Sequence, residues 1–212
     1  MRMKIITFIV CLVLFITCSI GCVEQESEHE NIENLTDIDW EYFQFHYSSG
    51  KDLDRLFRQG VVIINEEIAV YNPANSSFLL EVNSTNHQSL SHLINISITI
   101  LKNVSSYQII LQNYSTSSYF TNHKIVQENI FSIYKELSYV YLIAYDRIEA
   151  AYINSNSSNN TEIYVDISDT MISIFSIEES INENMSAQVN HIVTIPEDIW
   201  SQWDEKDWSF ME

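Results

Sequence analysis

The most regular pattern of apolar side chains lies in the second half of the chain and predicts a helix from about Asn122 to Ile153. Charged residues such as Glu128 and Glu136 fall off its apolar face. The apolar residues recur at steps of three and four, which gives one continuous face over about eight turns: Val126, Ile130, Ile133, Leu137, Val140, Ala144, Ile148 and Ala151. Such a face must be buried, so we expect this helix at the centre of the fold, with Leu137 and Val140 in the core.

Two further helices are predicted on either side of this one. A looser apolar seam runs upstream from Leu79 through Val82 and Leu93 to Tyr114. Downstream, apolar residues at helical spacing predict a helix from about Glu162 to Ile192, separated from its predecessor by the polar run 155–160. Both segments have the length of helices that cross a whole domain.

The N-terminal part of the domain gives a more interrupted pattern. Thr36 with Asp39 is typical of a helix start. We expect a break at Gly50, a restart promoted by Ser49 and Asp52, and a helix that continues past Gly60 to Tyr71. The helix should stop there, because Asn72 precedes a proline and is therefore disfavoured in a helix.

The C-terminal pattern adds one short helix, for which Thr194 and Glu197 are a capping box around Pro196. Only three glycines and two prolines occur in 212 residues, whereas a β-sandwich uses many glycines in its turns. The sequence therefore predicts an all-α domain over residues 35–212: an up-down four-helix bundle with a short C-terminal helix.

One segment favours a different fold. The isoleucines at 94, 96, 98 and 100 alternate with polar residues, which is the period of a half-buried strand, and Ile163, Val165 and Ile167 repeat it. The alternative is therefore an α+β, sensor-like domain.

The first 22 residues have the pattern of an export signal. Arg2 and Lys4 precede an apolar run from Ile5 to Ile20, which closes on Ser19-Ile20-Gly21-Cys22. Small residues before a cysteine allow cleavage and lipid attachment at its thiol. This segment resembles the signal peptide and lipobox of prokaryotic lipoproteins, with Thr17-Cys18 a less suitable second site.

The resemblance implies a division of the chain and a location. Residues 1–21 are the predicted signal peptide, 22–34 an acidic tether, and 35–212 an extracytoplasmic domain anchored to the outer face of the cell membrane by a lipid on Cys22. The alternatives are an uncleaved signal anchor and an ordinary secretory signal. An exported chain so rich in Asn, Ile and acidic residues would suit an archaeon.

Charge narrows the range of partners. Without Arg2 and Lys4 the chain has eight Lys and Arg against 29 Asp and Glu, a net charge near −21. Such a surface repels phosphate backbones, so we expect no nucleic-acid partner. Cys22 is the only cysteine after the signal, so no disulfide can form within the domain.

Nine N-x-S/T sequons fit an extracellular location and are candidate glycosylation sites. They begin at Asn34, Asn75, Asn83, Asn95, Asn103, Asn113, Asn156, Asn159 and Asn184.

No catalytic or metal-binding template is complete in this sequence, so we expect no enzyme, cofactor or metal. The one Glu-x-x-His, at Glu26 and His29, lies in the acidic tether. His87 and His92 are five residues apart and would not share a helix face. The remaining histidines of the domain, His46, His123 and His191, are isolated in sequence and are interpreted as surface or capping residues.

Two groups of aromatic residues remain as candidate binding features. Tyrosines crowd the Asn122–Ile153 helix and could line a pocket, although they more often sit at the core edge. Near the C-terminus, an aromatic cluster is the candidate surface for an envelope protein partner: Trp200, Trp203, Trp208 and Phe210. The leading hypothesis is a non-catalytic envelope interaction or structural lipoprotein. A ligand-sensing or solute-binding helical module is the alternative, followed by an extracytoplasmic hydrolase.

Overall fold

The computed structural model describes residues 35–75, 77–157 and 162–211. In chain order the elements are α1 (Asp37–Glu67), β1 (Ile68–Asn72), β2 (Ser77–Asn83), α2 (His87–Asn113), α3 (Ser118–Ser157), β3 (Glu162–Asp166), α4 (Ser168–Val193) and α5 (Glu197–Trp200), followed by short 3₁₀ turns at Ser201–Trp203 and Ser209–Met211. The predicted signal peptide, the lipobox with Cys22, and the tether with Glu26 and His29 lie outside the described residues.

Helix α1 begins as the sequence predicts but does not break. The Thr36 side chain accepts from the Asp39 amide, and the Asp39 carboxylate accepts from the Thr36 amide, which completes a capping box. The helix then continues through Gly50 and Gly60 to Glu67, so the predicted break at Gly50 and the extension to Tyr71 are wrong. Burial along one face compensates for the low helix propensity of the two glycines.

The structure contains a small antiparallel sheet in the order β1-β2-β3. In β2, Leu80 and Val82 are fully buried and alternate with partly exposed neighbours. Val165 of β3 pairs with Leu80, and Ile163 pairs with Val82. The apolar seams predict helices over both strands, and this is wrong. The strand alternative is confirmed for Ile163 and Val165, whose period of two is that of a sheet.

The alternating isoleucines, in contrast, are helical. Residues 94–100 lie within α2, where Ile96 and Ile100 join the core and Ile98 remains exposed. The buried side chains of this helix follow steps of three and four, through Leu90, Leu93, Ile96, Ile100 and Val104. The strand prediction for this segment is therefore wrong.

The long predicted helix is confirmed and is longer than expected, since α3 runs from Ser118 to Ser157. Leu137 is fully buried, whereas Val140 is only half-buried. The next helix, α4, starts at Ser168 after β3 rather than at Glu162. The capping box at Thr194 is also wrong, because Pro196 precedes α5 without a side-chain cap.

The fold is thus predominantly helical with a three-stranded sheet at its side. Helix α3 packs against α2 and α4, and α1 packs against α2 and α3. None of the helices within the described ranges has the length and apolar character needed to cross a membrane.

Candidate functional site

The C-terminal aromatics form part of a cluster that covers the first turns of α1. Trp203 is only 1% exposed, and its ring packs against Trp40 at a centroid distance of 5.1 Å. Trp200, Trp208 and Phe210 are half-buried. Trp203 therefore belongs to the core, while the other three members of the predicted partner surface keep part of their area accessible.

This C-terminal segment is also held by polar contacts. The Trp208 indole donates to the Trp203 carbonyl at 3.2 Å, and the Tyr47 hydroxyl donates to the Met211 carbonyl at 3.1 Å. Lys206 forms an ion pair with Asp37. These bonds fix the aromatic rings in position, so a partner would meet a preorganised surface.

Beneath the aromatic cluster lies a buried polar network that no sequence pattern indicates. The Tyr42 hydroxyl and His123 Nδ1 are 2.6 Å apart, and His46 Nδ1 lies 2.7 Å from Gln127 Oε1. Because an amide oxygen only accepts, His46 Nδ1 donates to it. Gln188 donates to the same oxygen from α4 at 2.7 Å. The network joins α1, α3 and α4.

The two histidines of the network meet edge to face, with ring centroids 4.4 Å apart. Burial, then the neighbouring His46 and His191, lowers the pKa of His123 from 6.5 to about 2. Burial also lowers the pKa of His46 to about 4, although its bond to Gln127 acts in the opposite direction. Both rings are therefore neutral near pH 7.

The interpretation of His46 and His123 as surface or capping residues is wrong. His123 is fully buried and His46 half-buried. The two are 77 positions apart in the printed sequence, and no local pattern shows that α1 and α3 bring them together. The only signal in the sequence is that both residues are histidines.

Some buried nitrogen atoms in and beside the network make no hydrogen bond. His123 Nε2, Gln127 Nε2 and Trp203 Nε1 have no hydrogen-bond partner among the described residues. No group of three His, Cys, Asp or Glu side chains in the described part of the chain could hold a metal ion. The arrangement can position neutral rings and amides, and its chemistry is that of a structural polar core.

A solvent-accessible cleft lies along α1. Its volume is about 1110 Å³, and α2 contributes His92, Asn95 and Ile96 to its wall. Phe210 from the C-terminal segment lines it too. The α1 side carries three cations, Lys51, Arg55 and Arg58, together with Asp52, Asp54, Val62 and Ile63.

The carboxylates of the cleft already have donors. Arg55 contacts Asp52 at 2.6 Å, and Arg58 contacts Asp54 at 2.7 Å. Asp52 also accepts from Asn103 at 2.6 Å and Tyr107 at 3.0 Å. Burial raises the pKa of Asp52, but these hydrogen bonds outweigh it, so the net pKa lies below 3.8 and the group is ionised.

The α3 tyrosines do not line this cleft. Tyr134 and Tyr141 are buried in the core, Tyr145 and Tyr152 are half-buried against it, and Tyr139 is exposed. Tyr141 donates to the Phe57 carbonyl at 2.8 Å. Elsewhere, His87 pairs with Glu149 at 2.6 Å and stacks on Tyr152.

The candidate glycosylation sites differ in accessibility. Asn75, Asn95 and Asn113 are exposed. The side-chain nitrogens of three half-buried sequon residues are already bonded, to Glu81 from Asn83, to Asp52 from Asn103 and to the Ser180 carbonyl from Asn184. Asn103 therefore faces α1 rather than open solvent. Asn34 and Asn159, and the side chain of Asn156, lie outside the described residues.

Comparison with known proteins gives no match, since no family model, curated protein or solved structure is significantly similar to this chain.

Proposed function

We propose that this protein is a non-catalytic, lipid-anchored domain on the outer face of the cell membrane, and that it binds another envelope protein. The observation that carries the proposal is the partly accessible aromatic surface of Trp200, Trp208 and Phe210. Tryptophans that are rigidly packed and partly accessible supply large contact area at low entropic cost, and they are enriched at binding hot spots.

The surrounding architecture supports this role. The rings rest on Trp40 and Phe43 of α1, with Trp208 and Trp40 only 4.7 Å apart at their centroids. The proposal includes the up-down arrangement of the four long helices. It is supported by the four-residue connection 114–117 between α2 and α3, which favours antiparallel neighbours.

The buried position of Trp203 determines which variant tests the proposal. Deleting residues 197–212 would remove the core side chain of Trp203. A loss of binding could then not be distinguished from unfolding of the domain. Trp200→Ala is preferable because its side chain is half-buried at the surface. Truncation of a hot-spot tryptophan commonly costs more than about 2 kcal/mol of binding.

The experiment is site-specific photo-crosslinking in native membranes. A photoreactive residue at exposed Gln202 should yield a discrete adduct, which Trp200→Ala should remove at a temperature where circular dichroism shows that the variant is still folded. Exposed Gln112 on α2 provides the control position and should not give that adduct. Identical adducts from both positions, or an adduct that Trp200→Ala leaves intact, would refute the aromatic docking surface.

A further inference from the structure

From the cleft along α1 we infer a second binding site, for an organic anion that carries an apolar body. This site goes beyond the proposed partner surface and would stand if no envelope partner bound there. Three features of the cleft support it: the placement of its cations, its apolar wall and its open access to solvent.

The three cations form one stripe on α1. At 100° per residue, Lys51, Arg55 and Arg58 fall within a sector of about 60°, and they span about 10 Å of the helix axis. The domain contains eight Lys and Arg in all, and three of them line this cleft. In a chain with a net charge of −19, this is a local concentration of positive charge.

The two carboxylates of the cleft offset only part of this charge. Asp52 and Asp54 neutralise two of the three cations, and Asp52 is turned toward Asn103 and Tyr107 of α2. The Lys51 ammonium has no carboxylate within 4.0 Å among the described residues and lies 6.0 Å from the Tyr47 ring. A guanidinium has five donors, so Arg55 can accept a further anion beside Asp52.

The rest of the wall is apolar. Val62 lies on the same stripe and is half exposed, while Ile63, Ile96 and Phe210 contribute further hydrocarbon surface. A fully hydrated inorganic anion would gain nothing from these groups. An aliphatic or aromatic acid would place its charged group at Lys51 and Arg55 and its body against the apolar residues.

The test uses 1-anilinonaphthalene-8-sulfonate, an aromatic anion whose fluorescence rises on apolar contact, on the folded full-length chain. Lys51→Gln and Arg55→Gln should each raise its Kd about fivefold. Lys135→Gln removes the same charge from an exposed site on α3 and should change Kd less than twofold. Added salt should weaken binding, because the cations are exposed to solvent.

A second pair of variants tests the apolar wall. Val62→Glu should raise Kd about tenfold, whereas Ile143→Glu should leave it unchanged. Val62 and Ile143 are 51% and 52% exposed, so the pair is matched for burial. Decanoate should displace the probe, and the uncharged decyl maltoside below its micelle concentration should not.

The site is refuted if Lys135→Gln weakens binding as much as Lys51→Gln, because net charge alone would then explain the effect. Equal displacement by decyl maltoside would refute the anionic ligand class. Absence of saturable binding would refute the site altogether. Binding is compared only between variants whose melting temperatures match that of wild type. Lys51→Met is a second, apolar replacement at this position, and it should also weaken binding.

Discussion

The two glycines of α1 provide a matched pair for testing how tightly the helices pack. Substituting alanine in a helix interior gains about 0.5–1 kcal/mol in propensity at either position. A Cβ at Gly50 would meet nothing within 4 Å, so Gly50→Ala should be stabilising by about that amount. A Cβ at Gly60 would lie 2.6 Å from the Tyr141 hydroxyl oxygen and closer still to the ring.

Tyr141 cannot easily yield to the added methyl group. Its ring is fully buried, and its hydroxyl is bonded to the Phe57 carbonyl. Overpacking costs about 1–3 kcal/mol, and loss of the hydrogen bond adds about 0.5–1.5 kcal/mol. After subtracting the propensity gain, Gly60→Ala should lower the free energy of unfolding by about 0.5–4 kcal/mol. The propensity gain is the same at both positions, so the two variants should differ by about 1.5–4.5 kcal/mol.

The assay is urea denaturation followed by circular dichroism, with Tyr141→Leu as a second background. If the clash is the cause, the cost of Gly60→Ala should fall by at least about 1 kcal/mol in that background. Equal stability of the Gly50→Ala and Gly60→Ala proteins would refute the close approach of α1 and α3. If Tyr141→Leu leaves the destabilisation by Gly60→Ala unchanged, that destabilisation does not arise from the contact with Tyr141.

Three further predictions concern the buried network, the core and the anchor. The depressed pKa of His123 means that its contribution to stability is complete above pH 6.5 and is lost as pH falls, by about 3 kcal/mol at pH 4.5. Between pH 7 and pH 4.5, the urea midpoint should fall less for His123→Gln than for wild type. The variant of exposed His92, His92→Gln, should keep the wild-type pH dependence. Identical pH dependence in all three proteins would refute the assignment of this loss to His123. Leu137→Ala should cost about 2–5 kcal/mol in thermal or urea unfolding, because Leu137 is fully buried, and a cost below about 1 kcal/mol would contradict its central position. Cys22→Ser should release the domain from membranes or leave a longer precursor on fractionation; unchanged fractionation and migration would contradict lipid attachment.

The sequence predicts this fold where the apolar pattern is long and unbroken. Helix α3 was found because its stripe of apolar residues repeats over many turns. Local propensity alone predicts a break in α1 at Gly50, because it does not include tertiary packing. Close to Gly60, the buried Phe57 and Ile64 supply contacts that outweigh that local cost.

Short strands and buried polar contacts were harder to predict for a different reason. The five-residue β3 shows only two alternating apolar positions before α4 begins, too few to distinguish a strand from a helix start. The candidate site has the same difficulty. The cationic stripe has a visible spacing in sequence, but the wall formed by Ile96 and Phe210 exists only after distant segments have packed against α1.

The contact between the C-terminal segment and the first turns of α1 has a consequence for biosynthesis. Lys206 meets Asp37 across 169 positions, and Met211 meets Tyr47 across 164. A chain that emerges N-terminus first therefore presents Trp40 and Phe43 to solvent, or to a chaperone, until almost all of residues 35–211 have been delivered. Completion of the domain is coupled in time to the arrival of its last aromatic residues.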